Sequence, residues 1–241
     1  MTGLEWAAIG LALFLASTLQ SFLGFGYGIL AMTTMALALG VVTASGVVNI
    51  TGMVQVAWVA WALRRNIRWS YMLRLLPGMS IGLAVGLFTL ENADPTWLIR
   101  TLGATITAIA AWNLRPLHGH GRGSPFWDLV VGFSSGSIGG AFNTGGPPVI
   151  AYLYRRPDPP EVLKGTVQIY FLVFTIVRLS AASAVGLIDA HVVRIALTLV
   201  PLIVAGAATG LTLSRRVSPE RFRTTSWLAL GFMGIVLALR A

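Results

Sequence analysis

From Trp6 to Leu63 the chain carries no charged residue. No other feature constrains the fold as strongly. A helix needs about 20 apolar residues to cross a bilayer, so this run has room for nearly three crossings. Lipid cannot satisfy backbone N–H and C=O groups, which leaves helices or a closed β-barrel. A barrel would show apolar–polar alternation in strands of about ten residues, and none is visible. The chain therefore reads as an all-α polytopic membrane protein, the alternative being a large soluble core of wholly buried helices. Only 10% of residues are charged, against about 25% in soluble domains, and the mean hydropathy is +0.78.

The N-terminal MTGLEW is acidic rather than basic, and no small-residue cleavage site precedes the next apolar run. The first helix is therefore expected to be retained. The chain has no cysteine, which excludes disulfides and thiolate metal sites. Its net charge of +9 comes from basic residues clustered at segment ends. Positive-inside orientation explains them, and no nucleic-acid partner is expected.

Breakers and charges divide the chain into ten apolar segments, at about 4–22, 26–40, 43–63, 70–90, 95–114, 125–141, 147–154, 162–185, 190–213 and 219–240. The Gly-rich, basic stretch RPLHGHGRGS at 115–124 is a linker. It separates a first membrane repeat, 1–114, from a second, 125–241. Gly26 matches Gly145, Gly46 matches Gly165 and Asn49 matches Gln168, all at a spacing of 119. Pro77 matches Pro201, Gly82 matches Gly206, Gly86 matches Gly210 and Pro95 matches Pro219, at 124. Such matches in the same order indicate a tandem repeat.

Loop charges orient the halves. Arg64, Arg65 and Arg68 follow the third segment, whereas Glu91 and Asp94 follow the fourth. In the second half Arg155, Arg156 and Lys164 precede the corresponding third segment, and Arg215, Arg216, Arg221 and Arg223 follow the fourth. By the positive-inside rule the repeats have opposite orientations, the linker is cytoplasmic and both termini lie on the outer side.

Two interruptions fall at matching places: SFLGFGYG, Ser21–Gly28, and GGAFNTGGPP, Gly139–Pro148. Opposed repeats with interrupted segments point to a secondary transporter. The apolar run after the second break is too short to cross the membrane, so a half-helix is expected there. Pro147 and Pro148 suit a first helical turn. The free N–H groups of such a start favour an anion. Inverted repeats would bring two such starts together near the midplane. The residues expected to line a small-anion site are Gln20, Ser21, Gly24, Gly26, Tyr27, Asn143, Thr144, Gly145 and Gly146. The alternative is a buried structural kink.

Arg178 lies deep in an apolar segment, where a charge is expensive and faces a cavity or partner. It is a counter-charge for the anion or an arginine snorkelling to the outer interface. Asn49 and Gln168 either contact substrate or bond between helices. GLAVG, Gly82–Gly86, and GAATG, Gly206–Gly210, are packing motifs. Trp6, Trp69, Trp97, Trp127 and Trp227 read as interfacial anchors. GFGYG lacks the strand and acid of a dinucleotide site. All eight acids and all three histidines fall in loops or near segment ends. Neither a mid-span proton relay nor a metal cluster is therefore expected, and no catalytic residue, metal or cofactor is assigned.

At the paired breaks, at KGTVQ, and at LLPGMSIGLAVG and LVPLIVAGAATG, the chain resembles the TauE/SafE family of sulfite exporters, also called the toluene-sulfonate uptake permease family. Tyr27 stands where the family commonly has a run of glycines. The resemblance implies transport of sulfite, sulfonates or related small anions across the bacterial inner membrane. The resulting expectation is two inverted-topology repeats, each a Gly/Pro-broken helical hairpin plus three transmembrane helices. They would work by alternating access around a midplane site and without enzymatic chemistry. Its partners are a small anionic substrate and the lipid bilayer, with a homodimer left open. An anion channel and a non-transporting membrane scaffold or enzyme subunit are the alternatives.

Overall fold

The computed structural model describes residues 3–92, 107, 111, 124–142, 145–184, 188–218, 220–221, 224–225, 227–228, 231–232 and 235. The 115–124 linker apart from Ser124, most of the segments at 95–114 and 219–240, and both Asn143 and Thr144 lie outside the described residues. The helices are α1 (Gly3–Leu23), α2 (Tyr27–Leu39), α3 (Val41–Ala62), α4 (Trp69–Asn92), α5 (Pro125–Phe142), α6 (Gly146–Leu153), α7 (Pro160–Ala184) and α8 (Ala190–Ser214), with a 3-10 turn at Arg64–Asn66. No strand occurs among the described residues. Trp6–Leu23, Thr43–Ala62, Pro160–Ser180 and Ala190–Ser214 are long and apolar enough to cross a membrane.

The chain packs as two units, Met1–Ile67 with Gln168–Arg216, and Arg68–Val167 with Val217–Ala241. Each unit draws on both sides of the linker.

In the first unit α1, α3 and α8 run side by side in one direction. Gly206 and Gly210 of α8 meet the carbonyls of Phe14 and Thr18. The Ser17 hydroxyl lies 2.6 Å from both Gln55 Oε1 and the Ile203 carbonyl. Val59 of α3 and Leu63, its C-cap, pack with Ala207 and Leu211 of α8. Ile9, Leu13, Val47, Val48, Val192 and Ile195 form the core towards the other end. Asp189 caps α8, its carboxylate accepting the Val192 N–H at 2.8 Å. That satisfies one of the four N–H groups a helix start leaves open.

In the second unit α4 and α5 also run parallel. A Cβ on Gly82 would strike the Phe133 carbonyl, and one on Gly86 the Ser137 carbonyl. Gly132 and Gly136 of α5 are pressed in turn against Leu75 and Met79. Without side chains at these positions the backbones come together, which in lipid supplies the packing that the hydrophobic effect cannot. The carbonyls facing Gly206 and Gly210 belong to Phe14 and Thr18. Those facing Gly82 and Gly86 belong to Phe133 and Ser137, each 119 positions later.

Candidate functional site

The first break follows from two glycines. Gly24 and Gly26 adopt φ of 94° and 108°, a region that side chains other than glycine's avoid. They end α1 and let α2 start at Tyr27. The Tyr27 hydroxyl donates to Thr51 at 2.7 Å. Thr51 stands midway along α3, so α2 begins at half the depth of its neighbour and returns towards the start of α3. Its thirteen residues span about 20 Å, short of the ~30 Å core.

The buried polar side chains here form a set of two hydrogen-bonded groups, one around Gln20 and one around Gln55. The Tyr27 N–H donates to Gln20 Oε1 at 2.9 Å. Gln20 Nε2 points to Gln168 Oε1 at 3.5 Å, and Gln168 Nε2 donates to the Gly24 carbonyl at 3.0 Å. Gln55 Nε2 donates to Ser21 Oγ at 2.9 Å. The structure therefore brings together Gln20, Ser21, Gly24, Tyr27 and Gln168. Asn49 is buried on α3. The side chains of Gln20 and Gln168 are engaged in holding the break itself.

Three members of the set, Ser17, Thr51 and Gln55, were not singled out in the sequence. Ser17 and Ser21 are four residues apart, as are Thr51 and Gln55. Each pair lies on one face of its helix, in a run with no charge. That spacing was the available signal.

The second break leads into α6, eight residues long, or about 12 Å. This is the short helix expected after Gly139–Pro148. Gly145 is its N-cap and Pro147 sits in its first turn. Ser135 Oγ, buried on α5, donates to the Gly145 carbonyl. Gly145 and Gly146 are buried. Arg178 is partly buried on α7, ten residues beyond Gln168 and so about 15 Å further along the same helix.

The far end of α6 meets a group of charges that the sequence left at the periphery. Asp128, in the first turn of α5, is 3% exposed. It accepts from the Tyr152 hydroxyl at 2.7 Å and lies 3.7 Å from the Arg156 guanidinium and 3.9 Å from that of Arg74. The Arg156 guanidinium also stacks over the rings of Tyr152 and Tyr71. Lys164, counted among the basic residues at the start of the 162–185 segment, lies in the first turns of α7 and is 1% exposed.

The family model for the sulfite exporter TauE/SafE matches residues 9–237. The chain is 30% identical over 177 residues to the probable inner membrane transporter protein TsaS of Comamonas testosteroni, covering 72% of this chain and 73% of that one. It is 29% identical over 230 residues to the probable sulfite/organosulfonate exporter TauE of Cupriavidus necator, covering 92% and 89%. No solved structure matches the chain. A family match across nearly the whole length agrees with helices long and apolar enough to span a bilayer, and the chain belongs to the TauE/SafE sulfite exporter family of multi-pass membrane proteins.

Proposed function

We propose that the chain is a secondary transporter that exports a small sulfur oxyanion or organosulfonate from a bacterial cell without converting it. Family membership and the name of the TsaS relative support transport, and the family description and the name of the TauE relative support the substrate class. The observation that carries the anion chemistry is the start of α6. It is a helix N-terminus opened by Gly145, Gly146 and Pro147 and set against Ser135 in the interior of α5. Backbone N–H groups there favour an oxyanion. The sequence candidates proposed for the anion are Asn143, Thr144, Gly145 and Gly146 at this break and, taken separately, Gln20, Ser21, Gly24, Gly26 and Tyr27 at the first break, with Asn49, Gln168 and Arg178.

The repeats 1–114 and 125–241 are taken to be inverted about the linker, with both termini outside, and transport to proceed by alternating access. The matched spacing of the glycine contacts supports the repeat, and the loop charges support the inversion.

Flux of sulfite and of a small organosulfonate into proteoliposomes tests the assignment. Saturable flux that falls in Asn143→Ala and Arg178→Ala proteins is expected. Saturable flux that neither substitution alters would remove these residues from the site. Ohmic conductance far above carrier turnover would replace the carrier by a channel.

A further inference from the structure

We propose that Asp128 is a positioning residue for substrate binding: it holds α6 in register on α5 and thereby fixes the Gly145–Gly146 end of that helix. The helix is tied to α5 at both ends. Ser135 Oγ donates to the Gly145 carbonyl at its start, and the Tyr152 hydroxyl donates to Asp128 at its finish. Asp128 and Ser135 are two turns apart on α5, and Gly145 and Tyr152 are equally far apart in the antiparallel sense. The two ties thus match in length, at about 10 Å. Val149 and Ile150 between them are wholly buried.

The lower tie is also the charged one. Asp128 faces Arg156, which follows α6, and Arg74 of α4. The Asp128 carboxylate accepts the Tyr152 hydroxyl and faces two guanidinium groups, so it has partners on α4, on α6 and after α6, and serves as a fixed anchor. Hydrogen bonds to an ionised acceptor are stronger and more directional than neutral ones. The position 119 residues earlier is Ile9, an apolar residue, so this anchor belongs to the second break alone. Binding at a helix start depends on its placement to within about half an ångström. Resting on the anion site proposed at the start of α6, a loosened Asp128 anchor should weaken anion binding more than it slows turnover.

The test uses the full chain with Ala151→Cys as its only cysteine, since the native chain has none. Ala151 is 7% exposed on α6. Thiol modification in liposomes reports docking of the helix, and sulfite flux gives KM and Vmax. Asp128→Ala is expected to speed modification about tenfold and to raise KM about tenfold with Vmax within about twofold. Asp128→Glu should restore part of both. Tyr152→Phe keeps the ring and its packing, and should give about threefold effects if Asp128→Ala does not fold.

Unchanged modification in the folded variants overturns the anchor, whatever the flux. Faster modification with an unchanged KM overturns its role in binding. Faster modification in a parent protein that moves no anion leaves the anchor standing and overturns the transport function instead.

Discussion

Gly206 rests on the backbone carbonyl of Phe14, so close that a Cβ in place of its hydrogen would stand 2.5 Å from the oxygen. The same relation joins Gly82 to the carbonyl of Phe133 in the other unit. Phe14 and Phe133 differ by one repeat spacing, and Gly82 and Gly206 by the other. Each unit is thus founded on one helix from either side of the linker, welded along a glycine stripe.

Substituting either glycine by valine should therefore be costly. The obstacle is backbone, which cannot rotate away, and overpacking of this kind costs about 1–3 kcal/mol. Gly82→Val and Gly206→Val should lose stability by similar amounts in thermal unfolding of the detergent-solubilised protein. Gly52→Ala is the contrast. A Cβ there would sit 3.6 Å from the Tyr27 ring, and alanine favours a helix by up to about 1 kcal/mol, so stability should hold or rise. A tolerated Gly206→Val would mean that the two seams do not carry equal weight.

Much of this architecture was legible because it depends on local composition. A charge-free run dictates helices, and Gly24, Gly26, Gly145 and Pro147 dictate where they break. The glycines at 82, 86, 206 and 210 announce close packing by their spacing alone. The polar interior was less legible. Ser17 and Gln55 are distant in sequence, and nothing local shows that they meet. Asp128 looked peripheral because it begins a helix. It is buried because α6 turns back along α5 and brings Tyr152 and Arg156 to it. Residues with long-range partners acquire their environment only from the fold.

The parallel course of α3 and α8 predicts a shared side for the charges that follow them. Val59 and Leu63 pack with Ala207 and Leu211 at the closing turns of both helices. Arg65 and Arg216 follow immediately and are exposed. Cysteines placed singly at these positions should react with an impermeant thiol reagent from the same side, the cytoplasmic one. Labelling from opposite sides would contradict the packing of α3 on α8.

The first break should depend on Gln20 more than on the Tyr27 hydroxyl. Gln20 Oε1 is the acceptor for the Tyr27 N–H at the start of α2. Gln20→Ala leaves that buried donor open and removes the partner of Gln168, at about 1–3 kcal/mol. Tyr27→Phe removes a hydrogen bond to Thr51, whose hydroxyl keeps the Val47 carbonyl at 2.7 Å, and should cost about 0.5–1.5 kcal/mol. Thermal unfolding ranks the two, and the reverse order would show that the break is held chiefly by the tyrosine.

The two acids beside α6 and α7 should differ sharply in their weight. Arg68 pairs with Asp158 at 3.3 Å, but its side chain is 59% exposed. Water and ions screen such a pair, which is worth up to about 1 kcal/mol and fades at high salt. Asp128 and Arg156 have side chains 4% and 10% exposed. Removing one member of a buried pair costs about 3–5 kcal/mol, because the other charge stays in a poor solvent. Arg68→Ala should thus shift thermal unfolding slightly and only at low salt. Asp128→Ala should shift it severalfold more, with little dependence on salt. Equal shifts that both vanish in molar salt would place the Asp128 cluster in contact with water.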